Sequence, residues 1–302
     1  MRVCREINQW ITEQIEQPVE RWAQETERRC VEQDCNWWCL CCNKWFCFLV
    51  TILVRIIVWV VVTITRLVTT VVCEVVGLVL DVVALVVNLV LSIPILGGII
   101  RTVLNWATEI FWRVVGLPDL ILTAFGIQLP KKMYMKVVIL NNDGRPLTTE
   151  AAVLPFVADA QTIFRTECNI NLIHTGTCIP TLNTPQEART ISCDVSGFFA
   201  DWWVGGSYFE LVSADCAFKD GWRRVVGYGA ELIVFVIGNV TPDSGGSTTI
   251  GCSMGPTHNY VVVEAASMGA TAHELAHACG LWHIGDVNNL MNPNLLPTSR
   301  QL

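Results

Sequence analysis

Three histidines near the end of the sequence have the residue type and spacing of a metal site. His273 and His277 are four residues apart in TAHELAHACGLWH (271–283), so on a helix both imidazoles project from one face, one turn apart. Gly280 can adopt a positive φ, which lets the chain leave the helix and return His283 as a third ligand. Three neutral imidazole nitrogens leave the fourth position of a zinc ion open, as catalytic sites do. The spacing therefore predicts one catalytic Zn²⁺ ion.

Glu274 is the residue that this arrangement offers for proton transfer. It directly follows the first ligand, so its carboxylate can address water at the metal without being a ligand itself. The pattern HExxHxxGxxH fixes five residues and arises by chance about once in a few million positions. Cys279 lies two helical steps of about 100° beyond His277, which turns it away from the zinc-facing side. We expect a general base at Glu274 and a core or disulfide cysteine at Cys279.

The elements that must position this motif belong to residues 131–302, for which we predict an α/β domain. About 170 residues are enough for a separate core. Helical periodicity covers 148–167. Apolar, β-branched runs predict strands at 136–140, 169–173, 231–237 and 260–264. A Gly-rich segment precedes the last of these strands and contains Ser247–Ile250, a candidate edge strand.

With Met291 in NLMNP (289–293), the motif resembles the metzincin clan of zinc endopeptidases, most closely the matrixin branch. The resemblance covers about residues 133–302. It implies a methionine turn under the metal at Met291, with Pro293 two residues beyond, and peptide-bond hydrolysis with Glu274 as general base. It also implies a twisted, mainly parallel sheet with an antiparallel edge strand and helices on one side. A protein or peptide substrate would lie along the edge strand, for which the candidate residues are Ser247, Thr248, Thr249, Ile250 and Gly251.

Residues 1–44 are predicted to form a separate amphipathic segment rich in cysteine and tryptophan. Its apolar residues have a helical spacing, interrupted by Pro18, that is typical of a surface or partner-facing helix. The chain does not open on an apolar core, so we expect no cleavable signal peptide.

Residues 45–128 are predicted to form a hydrophobic helical hairpin. Only four basic and four acidic residues lie between 45 and 130. Small or polar residues recur there at an average interval of 3.6, the helical period, and form one narrow stripe. This stripe contains Arg66, Glu74 and Asp81. SIPILGG at 92–98 is a turn signal between two helical patterns.

Two interpretations of this hairpin stay open. It associates with a membrane, where the polar stripes of several copies meet, or it self-assembles in water by burying the same surface. We therefore expect a zinc endopeptidase attached to a helical targeting or assembly module, membrane-associated or secreted. The alternatives are a structural or pore-forming helical assembly with the protease as a passenger, and a delivered protease effector.

Charge and cysteine content limit the partners and the compartment. Twenty basic and 27 acidic residues give a net charge of −7, which excludes a nucleic-acid binder that works by bulk charge. Of the 14 cysteines, six lie in the second half, where they allow up to three disulfides and favour an oxidising, extracellular setting. Calcium is unsupported, because lone carboxylates such as Asp215 and Asp286 more often cap turns.

Overall fold

In a computed structural model of the protein, the described residues up to 66 form helices, and those from 131 onward form both helices and strands. The described residues belong to two units: the first contains those within 5–66 together with 123, 130 and 131, and the second contains those within 132–294. Most of the predicted hairpin, including Glu74 and Asp81, lies outside the described residues. The structure describes residues 5, 8–9, 11–32, 48–60, 62–63, 66, 123, 130–193, 204–218, 230–241, 250–253 and 258–294.

Helices make up the described part of the first unit. A π-helical turn at Thr12–Glu16 leads into α1 (Gln17–Glu32), and residues 48–60 are also helical. Pro18 is the second residue of α1, so the chain stays helical through the predicted interruption. Proline lacks an N–H and crowds the preceding turn, and the wider π-helical turn accommodates both effects.

Buried apolar stripes and ion pairs join these helical segments. The Arg55 guanidinium donates to Glu27 at 2.8 Å, and that of Arg66 donates to Glu16 at 2.7 Å. Arg66 follows Arg55 in the chain, whereas its partner Glu16 precedes Glu27, so the two helical segments run antiparallel. The buried stripes are Ile11, Ile15, Val19 and Ala23 on one segment and Thr51, Val54, Val58 and Val62 on the other. Arg66, which lies on the predicted polar stripe, pairs with Glu16 of its own chain.

The opposite face of helix 48–60 exposes large apolar side chains. Leu49, Leu53, Ile56 and Val60 recur at helical spacing on that face. Among the described residues, no helix combines the length and apolar character that crossing a bilayer requires.

A mainly parallel sheet of five strands forms the centre of the second unit, which is a mixed α/β structure. Its strand order is β4-β1-β6-β9-β8. Strands β1, β6 and β9 are parallel neighbours, and β8 is antiparallel to β9 at the edge of the sheet. The strands are β1 (Lys131–Ile139), β4 (Ile170–Cys178), β6 (Glu231–Ile237), β8 (Gly251–Ser253) and β9 (Tyr260–Glu264).

The sequence located most of these elements correctly. β6 and β9 occupy the predicted residues, because an unbroken apolar run bounded by turn residues is typical of a strand buried on both faces. The edge strand was predicted at Ser247–Ile250 but is β8, which begins at Gly251. Residues 247–249 lie outside the described residues.

Shorter elements complete the second unit. β2 (Asn141–Asn142) and β3 (Arg145–Pro146) form a hairpin, whose turn has positive φ at Asp143 and Gly144. β5 (Thr190–Ser192) pairs with β7 (Asn239–Thr241) in parallel. The helices are α2 (Glu150–Cys168), α3 (Gln186–Arg189), α4 (Val204–Cys216) and α5 (Thr271–Ala278).

Helices cover both faces of the sheet, so the expectation of helices on one side was wrong. The helices α2 and α5 pack on one face, where Val137, Val234 and Val261 line up in register. On the other face the Phe209 ring of α4 lies 4.5 Å from that of Phe235, centroid to centroid. The apolar runs of β6 and β9 are continuous, so side chains on both faces of the sheet are apolar. A layer of helices on each face is needed to bury them.

Two cysteine pairs lie at disulfide distance in the second unit. Cys178 at the end of β4 pairs with Cys216 at the end of α4, and their Cα atoms are 5.9 Å apart. Cys193 pairs with Cys252 on β8, with a Cα separation of 5.7 Å. The first bond ties the α4 layer to the sheet, and the second ties the edge strand to the segment after β5.

Non-reducing digestion followed by mass spectrometry should recover the Cys178–Cys216 and Cys193–Cys252 peptide pairs. Replacing Cys178 and Cys216 together by serine should lower the free energy of unfolding by about 2–4 kcal/mol, because the bond closes a loop of 38 residues in the unfolded chain. Reduced protein is the control for both measurements. Recovery of Cys178 linked mainly to a different cysteine would contradict this pairing.

Candidate metal centre

Helix α5 carries the first two histidines and ends in a turn that only glycine favours. Gly280 has a φ of +90°, as the sequence predicted. Its N–H donates to the His277 carbonyl at 2.8 Å, and the N–H of Leu281 donates to the Ala276 carbonyl at 3.1 Å. These two bonds form a Schellman motif, which satisfies the last carbonyls of the helix and redirects the chain toward His283.

The three histidine rings converge through their Nε2 atoms. Nε2 of His277 lies 3.0 Å from Nε2 of His273 and 3.0 Å from Nε2 of His283, and the third separation is 3.3 Å. Tetrahedral ligands at the zinc–nitrogen distance of about 2.0–2.1 Å are separated by about 3.3 Å. The three atoms therefore have a spacing that can hold a metal ion.

Backbone carbonyls fix the tautomers of the two helix histidines. Nδ1 of His273 lies 2.6 Å from the Leu290 carbonyl oxygen, and Nδ1 of His277 lies 2.8 Å from that of Leu281. A carbonyl only accepts, so in both rings Nδ1 carries the proton and donates it. Both Nε2 lone pairs then face each other, and such lone pairs repel unless a cation lies between them. The donor set thus fits a metal ion better than a mutual hydrogen bond.

Burial keeps the rings of His273 and His277 neutral near pH 7. It lowers the pKa of His273 to about 4, despite the opposing hydrogen bond to Leu290, and the charges of the other two histidines lower it further. Burial also lowers the pKa of His277. Metal ligation requires the unprotonated imidazole nitrogen, so this environment favours binding at neutral pH.

The segment after His283 forms a tight turn under α5. Met291 is buried in the same apolar cluster as Ala272 and Leu275, and its N–H donates to the Asn289 side chain at 2.8 Å. The N–H of Ile284 donates to the Met291 carbonyl at 2.9 Å. The methionine is thus packed against the helix that carries His273 and His277.

Two predicted residues near this turn lie at its surface. Asp286 accepts a hydrogen bond from the N–H of Asn288 at 2.9 Å, so it caps a turn as predicted. Pro293 is exposed.

Glu274 points toward the edge strand. Its residue exposure is only 5%, and burial raises the pKa of its carboxyl to about 8. A Cβ atom built on Gly251 would lie 2.7 Å from Oε1 of Glu274, so β8 passes directly beside the carboxylate. Gly251, one of the residues predicted for the substrate strand, therefore lies beside Glu274.

Cys279 lies at the C-terminal end of α5 as a free, exposed thiol that contacts β1. Its sulfur lies 3.7 Å from the sulfur of Met133 on β1, and Met133 packs at the margin of the core. The histidine group that can hold a metal does not include it. Cys279 is therefore neither a core nor a disulfide cysteine, so that prediction was wrong.

Several parts of the centre had no recognisable signal in the sequence. The carbonyls of Leu281 and Leu290 act through the backbone, whose partners depend on the fold rather than on residue type. Gly251 is one of several glycines in its segment, and its contact with Glu274 depends on how two distant elements pack.

Comparison with known proteins assigns no family to the chain. A scan against models of protein families finds no match, and neither does a search of curated proteins. The metzincin resemblance thus depends on the residues from His273 to Pro293.

Replacing His283 with alanine should weaken zinc binding by about 100-fold or more. Loss of a direct ligand should exceed the roughly 10–100-fold cost of losing an outer hydrogen-bond partner. Competition with a chromophoric chelator measures the affinity. His174→Ala is the matched control, since His174 lies on β4 outside the triad, and it should keep the affinity of the unmodified protein. Unchanged zinc affinity in His283→Ala would contradict the ligand assignment.

Proposed function

We propose that the second unit is a zinc-dependent endopeptidase of the metzincin type. The observation that carries the proposal is the convergence of three Nε2 atoms, with the buried Glu274 following His273 on the same helix and lying against an edge strand. A structural zinc site would have four protein ligands, whereas the described residues of this centre offer three, with Glu274 as the candidate general base. Zinc suits a neutral imidazole donor set, although other divalent transition metals bind such ligands as well.

The residues of the chain supply the proton transfers. His273, His277 and His283 would hold the zinc ion, which would supply Lewis-acid chemistry at the scissile carbonyl and at water. Burial favours the protonated form of Glu274, and a nearby cation favours the carboxylate, so the group can both accept and return a proton near neutral pH. Glu274 takes the proton of the attacking water at a carboxylate oxygen and passes it to the departing amine nitrogen.

The edge strand offers a place for an extended substrate. The Ile250 carbonyl accepts a hydrogen bond from the N–H of Glu264 on β9, so the alternate residues of β8 direct their backbone groups away from the sheet. The carbonyl of Gly251 is contacted there by the Cys193 sulfur, and Ser253 is the partly exposed residue of this set. A peptide in extended conformation binds such groups through its own backbone.

The loop that carries His283 favours apolar substrate side chains. Trp282 is 84% exposed, although it directly precedes a proposed ligand. The loop also exposes Leu281, Ile284 and Val287. Large apolar side chains grouped in this way are typical of binding surfaces. We therefore favour protein substrates with apolar residues near the cleaved bond.

Glu274→Gln should keep zinc and fold but lose peptide hydrolysis by about 10²–10⁴-fold, the contribution of a positioned general base. The amide has nearly the same shape as the carboxyl group and cannot accept the proton. Cleavage of a denatured protein by the full chain is measured with zinc, with chelator, and with zinc restored. Cleavage by Glu274→Gln at the rate of the unmodified chain would contradict the role of the glutamate, and absence of zinc-dependent cleavage in the unmodified chain would contradict the proposed function.

For the first unit we propose a membrane-targeting role. The exposed apolar face of helix 48–60 supports it, and the disulfide pairs of the second unit support a membrane-associated or secreted setting. Self-assembly through the same face is the alternative, as in a structural or pore-forming assembly. A second alternative is a delivered protease effector, for which the same apolar face would serve loading or translocation.

Replacing Ile56, which is 53% exposed, with aspartate should weaken binding of the full chain to anionic lipid vesicles. The expected cost is about 2–3 kcal/mol if the side chain lies deep in lipid. Flotation with vesicles measures the binding, and circular dichroism checks the fold. Gln24→Asp is the matched control, because it adds the same charge at an exposed polar position of α1. If the unmodified chain does not float with vesicles, the membrane proposal is wrong.

A further inference from the structure

Gly251 lies in a contact with Glu274 that leaves no room for a side chain. A Cβ atom on Gly251 would lie 2.7 Å from Cγ, 2.7 Å from Oε1 and 3.0 Å from Cδ of Glu274. Real Cβ atoms essentially never approach another heavy atom within 3.0 Å. The Glu274 side chain can keep its position only while residue 251 is glycine.

The backbone of Gly251 is fixed on both sides, so the strand cannot easily yield. Toward the sheet, Gly251 pairs with Val263, and the Ile250 carbonyl accepts from Glu264 at 2.9 Å. Away from the sheet, the sulfur of Cys193 lies 3.4 Å from the Gly251 carbonyl oxygen, and Cys193 pairs with the next residue, Cys252.

Glu274 is equally constrained from its own side. It lies in the middle of α5, whose neighbours Ala272, Leu275 and Ala276 are buried in the core. Helix α5 packs on β8 and β9, so its backbone cannot move away from the strand without disturbing the sheet contact. The carboxylate is therefore held between a fixed helix and a fixed strand.

We propose that Gly251 is a positioning residue for Glu274, and that the Cys193–Cys252 bond holds it in place. This inference rests on the proposed endopeptidase function for its catalytic consequence, although the contact itself does not. A methyl group at residue 251 would displace the Glu274 carboxylate from the position that it holds against β8. Misplacement of a catalytic group by about 1 Å can cost about 100-fold in rate.

Kinetics of Gly251→Ala test the positioning role. We expect kcat to fall about 10- to 100-fold, with KM and zinc affinity each within about twofold of the unmodified protein. Gly269→Ala is the matched control, since a Cβ there meets nothing within 4 Å, and it should keep kcat. A kcat of Gly251→Ala equal to that of the unmodified chain overturns the proposal.

A double-mutant cycle on thermal stability tests the contact without any catalytic readout. In the zinc-free protein, Gly251→Ala should lower Tm when Glu274 is present, because the methyl group and the side chain compete for one space. In a Glu274→Ala background the same change should leave Tm nearly unchanged, since the space is then vacant. Gly269→Ala should have the same effect in both backgrounds. An equal Tm loss for Gly251→Ala in both backgrounds overturns the inference.

Removal of the disulfide tests what holds the strand. Replacing Cys193 and Cys252 together by serine should lower kcat, whereas replacing Cys178 and Cys216 should leave kcat unchanged at a temperature where both variants are folded. Equal kcat in the two double variants overturns the role of the Cys193–Cys252 bond. If the unmodified chain shows no zinc-dependent cleavage but the Tm cycle shows coupling, the proposed function fails and the contact stands.

Discussion

The hydrogen bonds from the Nδ1 atoms of the two helix histidines are the constraint on which the rest of the centre depends. Both acceptors, the carbonyls of Leu281 and Leu290, belong to the loop that carries His283. The loop thus orients the two rings on α5 while it supplies the third ring. A change in its path would alter the tautomers, the ring orientation and the third nitrogen together, because the same few residues determine all three.

The parts of the site that the sequence predicted are those that depend on local geometry. His273 and His277 share a helix face by spacing alone, and Gly280 was identified because few other residues tolerate its φ of +90°. Similarly, β6 and β9 are strong signals, since each is an uninterrupted apolar run.

The parts that the sequence did not predict depend on packing between distant segments. α4 begins with a glycine pair, and its helical pattern is weak, so the layer on the second face of the sheet was missed. β8 has only three residues, Gly-Cys-Ser, without the β-branched or aromatic side chains that mark a strand. Its position is set by pairing with β9 and by a disulfide whose partner no sequence pattern identifies.

The strand pairing also has a consequence for the order in which the centre forms during folding. The three ligands lie within eleven consecutive residues, so α5 and the loop after it can bring them together locally. Gly251 instead reaches its position beside Glu274 only when β8 pairs with β9 and β9 pairs with β6. In turn, β6 pairs with β1 in a register that joins Tyr134 to Glu231, which are 97 residues apart (231 − 134). Pairing over so long a separation is slow, because loop closure must precede the stabilising contacts. A nascent chain would therefore bring the three histidines together before Glu274 has its neighbouring strand, and the proposed peptide hydrolysis would begin only once the sheet is assembled.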